Sequence, residues 1–159
     1  MKYFKKWLIK LLVYAGIVVT LFTLIFNIRI WYGNEMYPSL HDGDLIISLR
    51  TYSWSNINNE DVVLYKNNGK LSYGRIVAQP NSTVNIKDNS LIVNGNNMSA
   101  DGFYETESGS LDMPYSVSDN SYFILNDYRP EKNDSRNIGA VSKKNIKGVV
   151  IFAIRRRDF

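Results

Sequence analysis

Few residues in this chain can do chemistry. There is no cysteine, which excludes a thiol nucleophile, a disulfide scaffold and thiolate metal sites. His41 is the one histidine, so a multi-histidine metal site is excluded as well. A triad built on His41 would need a serine and an acid to converge on it, and no spacing points to that. What remains is hydroxyls, carboxylates and lysines. Ser39 lies four residues after Glu35, and its plainest role is that of a turn hydroxyl. Glu35 and Asp127 could in principle work as a carboxylate acid–base pair. Lys70 precedes Gly74 by four residues on one strand pattern. At about 3.3 Å per residue that is roughly 13 Å, too far for Lys70 to act at position 74.

The elements that would position these residues begin with an N-terminal arm. Lys2, Lys5, Lys6 and Lys10 lead into Leu11–Phe26, which carries no charge. With Trp7–Ile9 the apolar run is about twenty residues, or roughly 30 Å as a helix, the thickness of a bilayer's hydrocarbon core. Asn27-Ile28-Arg29-Ile30-Trp31-Tyr32 follows and offers no small-x-small cleavage site. The expectation is an uncleaved signal anchor over residues 1–30. The four lysines before the span outweigh Arg29 after it, so the N-terminus is expected in the cytoplasm and residues 31–159 outside the cell membrane.

Of the 159 residues, 19 are Lys+Arg and 15 Asp+Glu. Residues 31–159 hold 14 of the bases and all 15 acids. The basic excess thus sits in the arm, and no basic face is expected on the domain. That argues against nucleic acid as a partner.

Beyond residue 40 short β-rich runs are cut by Asn, Asp and Gly. Strands are expected at Leu45–Leu49, Asp61–Tyr65, Leu71–Ala78, Thr83–Ile86, Leu91–Val93, Tyr122–Leu125 and Val149–Ile154. Asn67-Asn68-Gly69 and Asn94-Gly95 read as hairpin turns. Met98–Asn120 reads as a long, partly irregular excursion, and Arg155–Phe159 as a solvated tail. The fold class is mainly β on a single N-terminal transmembrane helix.

Four segments, in order, resemble the type I signal peptidases (peptidase S26), membrane-anchored serine peptidases with a coiled β-sheet domain. Gly33-Asn34-Glu35-Met36-Tyr37-Pro38-Ser39-Leu40-His41-Asp42-Gly43-Asp44 resembles the family's first box, Gly-x-Ser-Met-x-Pro-Thr-Leu-x-x-Gly-Asp. Tyr73-Gly74-Arg75-Ile76-Val77-Ala78-Gln79-Pro80 is similar to its Lys-Arg-Val-Ile-Gly-x-Pro strand. Leu91–Gly95 matches the hairpin before its variable insert. Asn126-Asp127-Tyr128-Arg129 with Asp134-Ser135-Arg136 and Gly139 resembles Gly-Asp-Asn-Arg-x-x-Ser-x-Asp-Ser-Arg-x-x-Gly at identical spacing.

The resemblance implies a Ser hydroxyl attacking the scissile carbonyl and a neutral Lys taking its proton. Here the Ser position is Glu35 and the Lys position is Gly74, so no catalytic dyad is expected. The serine that would support the lysine is Lys132. Asp44, Arg75, Asp127, Arg129, Asp134, Ser135 and Arg136 match and are expected to form the scaffold. Met36, Pro38, Ile76 and Ala78 are expected to line a peptide groove, and Lys132 to swing into space left by Gly74 and pair with Glu35.

The pattern is similar to that of the inactive signal-peptidase-like proteins of Gram-positive bacteria, streptococci above all, that serve pilus assembly. That resemblance implies an accessory protein or chaperone. It would hold a preprotein or pilin signal-peptide region by strand addition and work beside the sortase and pilus machinery. Two other readings are an active signal peptidase with an atypical catalytic arrangement, and a structural membrane protein whose groove is unused. No metal or cofactor is implied.

Overall fold

The computed structural model describes residues 2–52, 56–98 and 105–155. Helix α1 runs Lys2–Ile25. Tyr3–Ile25 is long and apolar enough to cross a membrane and buries nothing against the rest of the chain. An apolar helix with no protein partner fits lipid rather than a core. Strand β1, Phe26–Ile30, follows at once and pairs antiparallel with β2, Leu45–Arg50. The sheet thus takes up five residues that the expected boundary at residue 30 leaves with the anchor.

The remaining strands are β3 Val62–Asn67, β4 Lys70–Ala78, β5 Thr83–Lys87, β6 Ser90–Val93, β7 Asn96–Asn97, β8 Tyr115–Ser116, β9 Ser121–Leu125, β10 Val141–Ser142 and β11 Ile146–Ile154. One antiparallel sheet has the order β1-β2-β11-β3-β4-β9-β10, and a smaller one β7-β6-β5-β8. All seven expected strands are present. The β3–β4 turn places Asn68 and Gly69 at φ 46° and 85°, and the β6–β7 turn places Asn94 and Gly95 at 51° and 83°. Left-handed pairs of this kind match the twist of the flanking strands. Part of the excursion is ordered: β7 and β8 flank the small sheet, and Thr106 donates its N–H to the Asn89 carbonyl (2.9 Å). Residues 99–104 and 156–159 of the expected excursion and tail lie outside the described residues.

Three apolar clusters hold the domain. Val63, Tyr65, Ile76, Tyr122 and Ile124 fill one side of the β3–β4–β9 sheet. Met36, Leu40, Ile46, Leu64 and Tyr73 fill another place, between the β1–β2 loop and the sheet. Val77, Ala78, Val84, Phe123 and Leu125 join the two sheets. On the outer strands, Ile28 and Ile30 of β1 lie across from Ile47 and Leu45. Phe152 and Ile154 of β11 face the same two residues. These four stay exposed, an apolar face beside the anchor.

Candidate functional site: a frame around a filled cleft

Position 74 lies on β4 opposite Val63 and is buried. A Cβ there would come within 2.4 Å of the Ile124 Cγ2 and 3.2 Å of the Tyr65 ring. Contacts that short do not occur without a neighbour moving. The space of a side chain at 74 is therefore taken by Ile124 and Tyr65, and the expectation that Gly74 leaves room is corrected.

Glu35 lies in the loop between β1 and β2. Its carbonyl accepts from the Tyr128 N–H (2.9 Å), which ties the first box to the last. Its side chain folds back on the loop. Oε2 is buried without a hydrogen-bond partner and occupies the place where Gly33 would carry a Cβ, with the Trp31 ring beside it. Gly33 has φ 142°, so both its backbone and its missing side chain suit this packing.

Lys132 does not meet Glu35. Its Nζ pairs with Glu107 Oε2 at 2.7 Å and holds the Glu107 carboxyl below the usual range. Glu107 comes from the β7–β8 excursion, so the nearest acid reaches Lys132 from outside the four boxes. The expected Glu35–Lys132 pair is absent for this reason.

The frame is well built. Arg75 grips Asp127 with two bonds, Nε to Oδ1 at 2.7 Å and NH2 to Oδ2 at 2.5 Å. The same guanidinium donates to the Glu60 carbonyl (2.8 Å) and the Ser39 hydroxyl (3.0 Å). Asp127 raises the Arg75 pKa above its usual value. Ser39 is thus an acceptor for Arg75, and Asp127 is committed to an ion pair. Both side chains are thus engaged by Arg75.

Below the cleft Arg136 is wholly buried beside Asp134, also wholly buried. Arg136 donates from Nε to Asp134 Oδ1 (2.9 Å) and from NH2 to Oδ2 (2.7 Å). Its other donors reach the carbonyls of Arg129, Glu131 and Glu107. Asp134 also caps helix α2, Ser135–Ile138, by accepting the Arg136 N–H, and it accepts the Asn126 N–H (3.0 Å). A buried ion pair needs this saturation to offset its desolvation. Ser135 accepts the Ile124 N–H at 2.9 Å and so sets the strand that fills position 74. Arg129 turns to the Thr106 hydroxyl (3.2 Å) and to the Asn126 carbonyl. Burial pulls its guanidinium down from its usual range. Asn126, in the place of the family's glycine, donates its amide to the Glu131 carbonyl (3.2 Å). Asp44 is buried and accepts the His41 N–H (2.8 Å). The His41 ring stacks edge-on against Tyr37 (5.0 Å).

The expected groove residues are not brought together at one surface. Met36, Ile76 and Ala78 are fully buried, one in each of the three apolar clusters, while Pro38 is half-buried.

The model of the family described as signal peptidase, peptidase S26, matches residues 4–154. The chain belongs to this family. It is 25% identical to signal peptidase I of Bacillus licheniformis over 92% of this chain and 86% of that one. It is 27% identical to a Staphylococcus aureus protein named inactive signal peptidase IA, over 94% of this chain and 91% of that one. The crystal structure of a signal peptidase I from Enterococcus faecalis superposes with a TM-score of 0.52 at 25% identity, covering 61% of this chain and 98% of that one. The expected mainly β signal-peptidase fold, with one N-terminal apolar helix, is thereby found. The relative named signal peptidase I and the one named inactive signal peptidase IA are about equally similar to this chain.

Tyr65 makes the filling of the cleft measurable. Burial, then the Asp134 and Glu35 carboxylates, push its phenol up to about 12. Tyr73 and Tyr122 are also raised by burial. A folded pKa above the unfolded value of about 10 means stability is complete below that value. It is lost as pH rises through roughly 10 to 12, by about 2–3 kcal/mol for Tyr65. Guanidinium midpoints measured at pH 8, 10 and 11.5 should fall in the upper interval, and Tyr65→Phe should flatten that fall. A pH-independent midpoint would contradict the burial of this phenol.

Proposed function

We propose that this member of the family does not cleave and instead holds a preprotein's signal-peptide region at the outer face of the cell membrane, as an accessory or chaperone in pilus assembly. The observation that carries the loss of cleavage is the filled position 74. A Ser–Lys mechanism needs a hydroxyl and a lysine in hydrogen-bond reach. This chain has a carboxylate at 35 and no side chain at 74. The volume beside it is occupied by Ile124 and Tyr65. The inactive staphylococcal relative supports the same reading.

Retention of the frame supports a binding role. The part-buried Arg75–Asp127 pair and the wholly buried Arg136–Asp134 pair hold the boxes in place, more structure than a mere anchor needs. The helix α1 leads directly into β1, and the exposed Ile28, Ile30, Phe152 and Ile154 suit a sheet that stands edge-on at the bilayer. Orientation with the lysine-rich N-terminus in the cytoplasm follows the positive-inside rule. The pilus client and sortase neighbourhood rest on the resemblance to the streptococcal proteins. Strand addition supplies affinity through main-chain hydrogen bonds, and β1 lies at the edge of the large sheet.

The test is site-specific photocrosslinking. A photoreactive residue at Tyr37 or at Ile30 of the full-length protein, in membranes, should capture a full-length pilin precursor and not its mature form. Equal capture of both forms, or of neither, would overturn the reading.

A further inference from the structure

The opposite face of the outer strands carries a cleft of about 850 Å³, within the size range of small-molecule sites. Arg29, Arg50, Lys66, Lys143, Lys144 and Lys147 line it, and no acidic residue does. This concentration is remote from what the net charge of residues 31–159 implies, since 14 bases there face 15 acids. The expectation of no basic face is therefore corrected: the acids lie elsewhere on the domain. Six cations around one concavity make a positive potential that selects anions.

The cleft's position narrows the anion. Two of its lining residues, Arg50 and Tyr52, hold the end of the anchor. Arg50 Nε donates to the carbonyls of Thr23 (2.9 Å) and Phe26 (3.3 Å). The Tyr52 hydroxyl donates to the Leu24 carbonyl at 2.6 Å. The bonds to Thr23 and Leu24 satisfy carbonyls that the last turn of a helix leaves unpaired. They also place the cleft's rim where a membrane-crossing helix leaves the hydrocarbon. Phosphate headgroups lie at that level, and juxtamembrane cations are drawn to them.

We infer that this cleft binds the phosphate headgroup of an anionic lipid in the leaflet where α1 ends, which fixes the tilt of the β domain on the membrane. The cations divide the work by element. Arg29 and Arg50 come from β1 and β2 beside the anchor, and Lys143, Lys144 and Lys147 from the β10–β11 connection and the start of β11. Lys147 Nζ already donates to the Lys144 carbonyl (2.6 Å) and retains two further N–H groups for a phosphate oxygen. Lys66 closes the cleft from the end of β3. The inference is independent of whether the protein cleaves or holds peptides.

The test uses full-length protein in a neutral detergent, titrated with dioctanoyl-phosphatidylglycerol and followed by tryptophan fluorescence. Dioctanoyl-phosphatidylcholine and inorganic phosphate are titrated beside it. The phosphatidylglycerol affinity should exceed that for phosphatidylcholine at least tenfold. It should fall at least fivefold between 50 and 500 mM salt, as an exposed charge interaction must. The variant Lys66→Gln/Lys143→Gln/Lys144→Gln, at exposed or half-exposed positions, should lose about tenfold with an unchanged circular dichroism spectrum and melting temperature. Equal binding of phosphatidylcholine would overturn the inference. So would phosphate binding as tight as the lipid, which would make this a free-anion site, or an unaffected triple variant. The salt titration of the unaltered protein decides the matter if the variant does not fold.

Discussion

Replacing Arg136 with methionine should lower the stability of the domain by about 3–5 kcal/mol, the cost of leaving a buried charge without its partner. Asp134 is wholly buried, and its two oxygens face Arg136 and the N–H groups of Arg136 and Asn126. Removing the guanidinium leaves that carboxylate with backbone donors only. It also takes a donor from the part-buried carbonyls of Arg129 and Glu131, leaving the Glu131 carbonyl the Asn126 amide. For a chain of this size the melting temperature should drop on the order of 10 °C. The double variant Asp134→Leu/Arg136→Met should lose less than the sum of the single changes, because it removes the charge together with its partner. The consequence reaches the cleft: Asp134 caps α2, Ser135 of α2 accepts from Ile124, and Ile124 fills position 74. A melting temperature within one or two degrees of the parent would show that this pair is not what holds the last box in place.

Restoring the family's residues should not restore cleavage. In the Glu35→Ser/Gly74→Lys/Lys132→Ser variant the new Cβ at 74 meets Ile124 Cγ2 at 2.4 Å. That methyl is branched at Cβ and cannot simply rotate aside like a long chain's end. Overpacking of this kind costs about 1–3 kcal/mol, and the lysine would be displaced from the line to position 35. The triple variant should therefore be less stable than the parent and silent toward a pilin precursor. Adding Ile124→Ala should recover part of the stability, since the lysine stem then fills the space the isoleucine gives up. A triple variant as stable as the parent and able to cut would show that the cleft is empty, not filled.

Much of the architecture can be read from the residues, and the reasons differ by element. Seven of the eight longer strands follow from β-branched runs between Asn and Gly turns, and the turn pairs at Asn68-Gly69 and Asn94-Gly95 have the left-handed conformation those residues allow. β1 escapes because Phe26–Ile30 follows the apolar run of α1 at once and its short alternation of apolar residues with Asn27 and Arg29 falls inside the expected anchor boundary at residue 30. β7, β8 and β10 are two residues long, too short to show a period. At the site, the types at 35, 74 and 132 are plain from the spacing of the boxes, but their surroundings are not. Gly74 reads as a vacancy until Ile124, fifty residues away, is seen to fill it. Lys132 reads as a partner for Glu35 until Glu107 arrives from the excursion. The cationic cleft is invisible to net charge because its six members are scattered from Arg29 to Lys147 and balanced by acids elsewhere.

In the proposed function the frame persists while the cutting chemistry is gone. The most direct measurement is signal-peptide release from a pilin precursor by the full-length protein reconstituted in liposomes, followed by mass spectrometry of the new N-terminus. A signal peptidase I of the same family, such as the Bacillus licheniformis relative, serves as the positive control. No release above the protein-free background is expected while the control cuts to completion. Release that persists with purified protein and disappears in Glu35→Gln or Ser39→Ala would contradict it, and would make this chain a peptidase with a different catalytic pair.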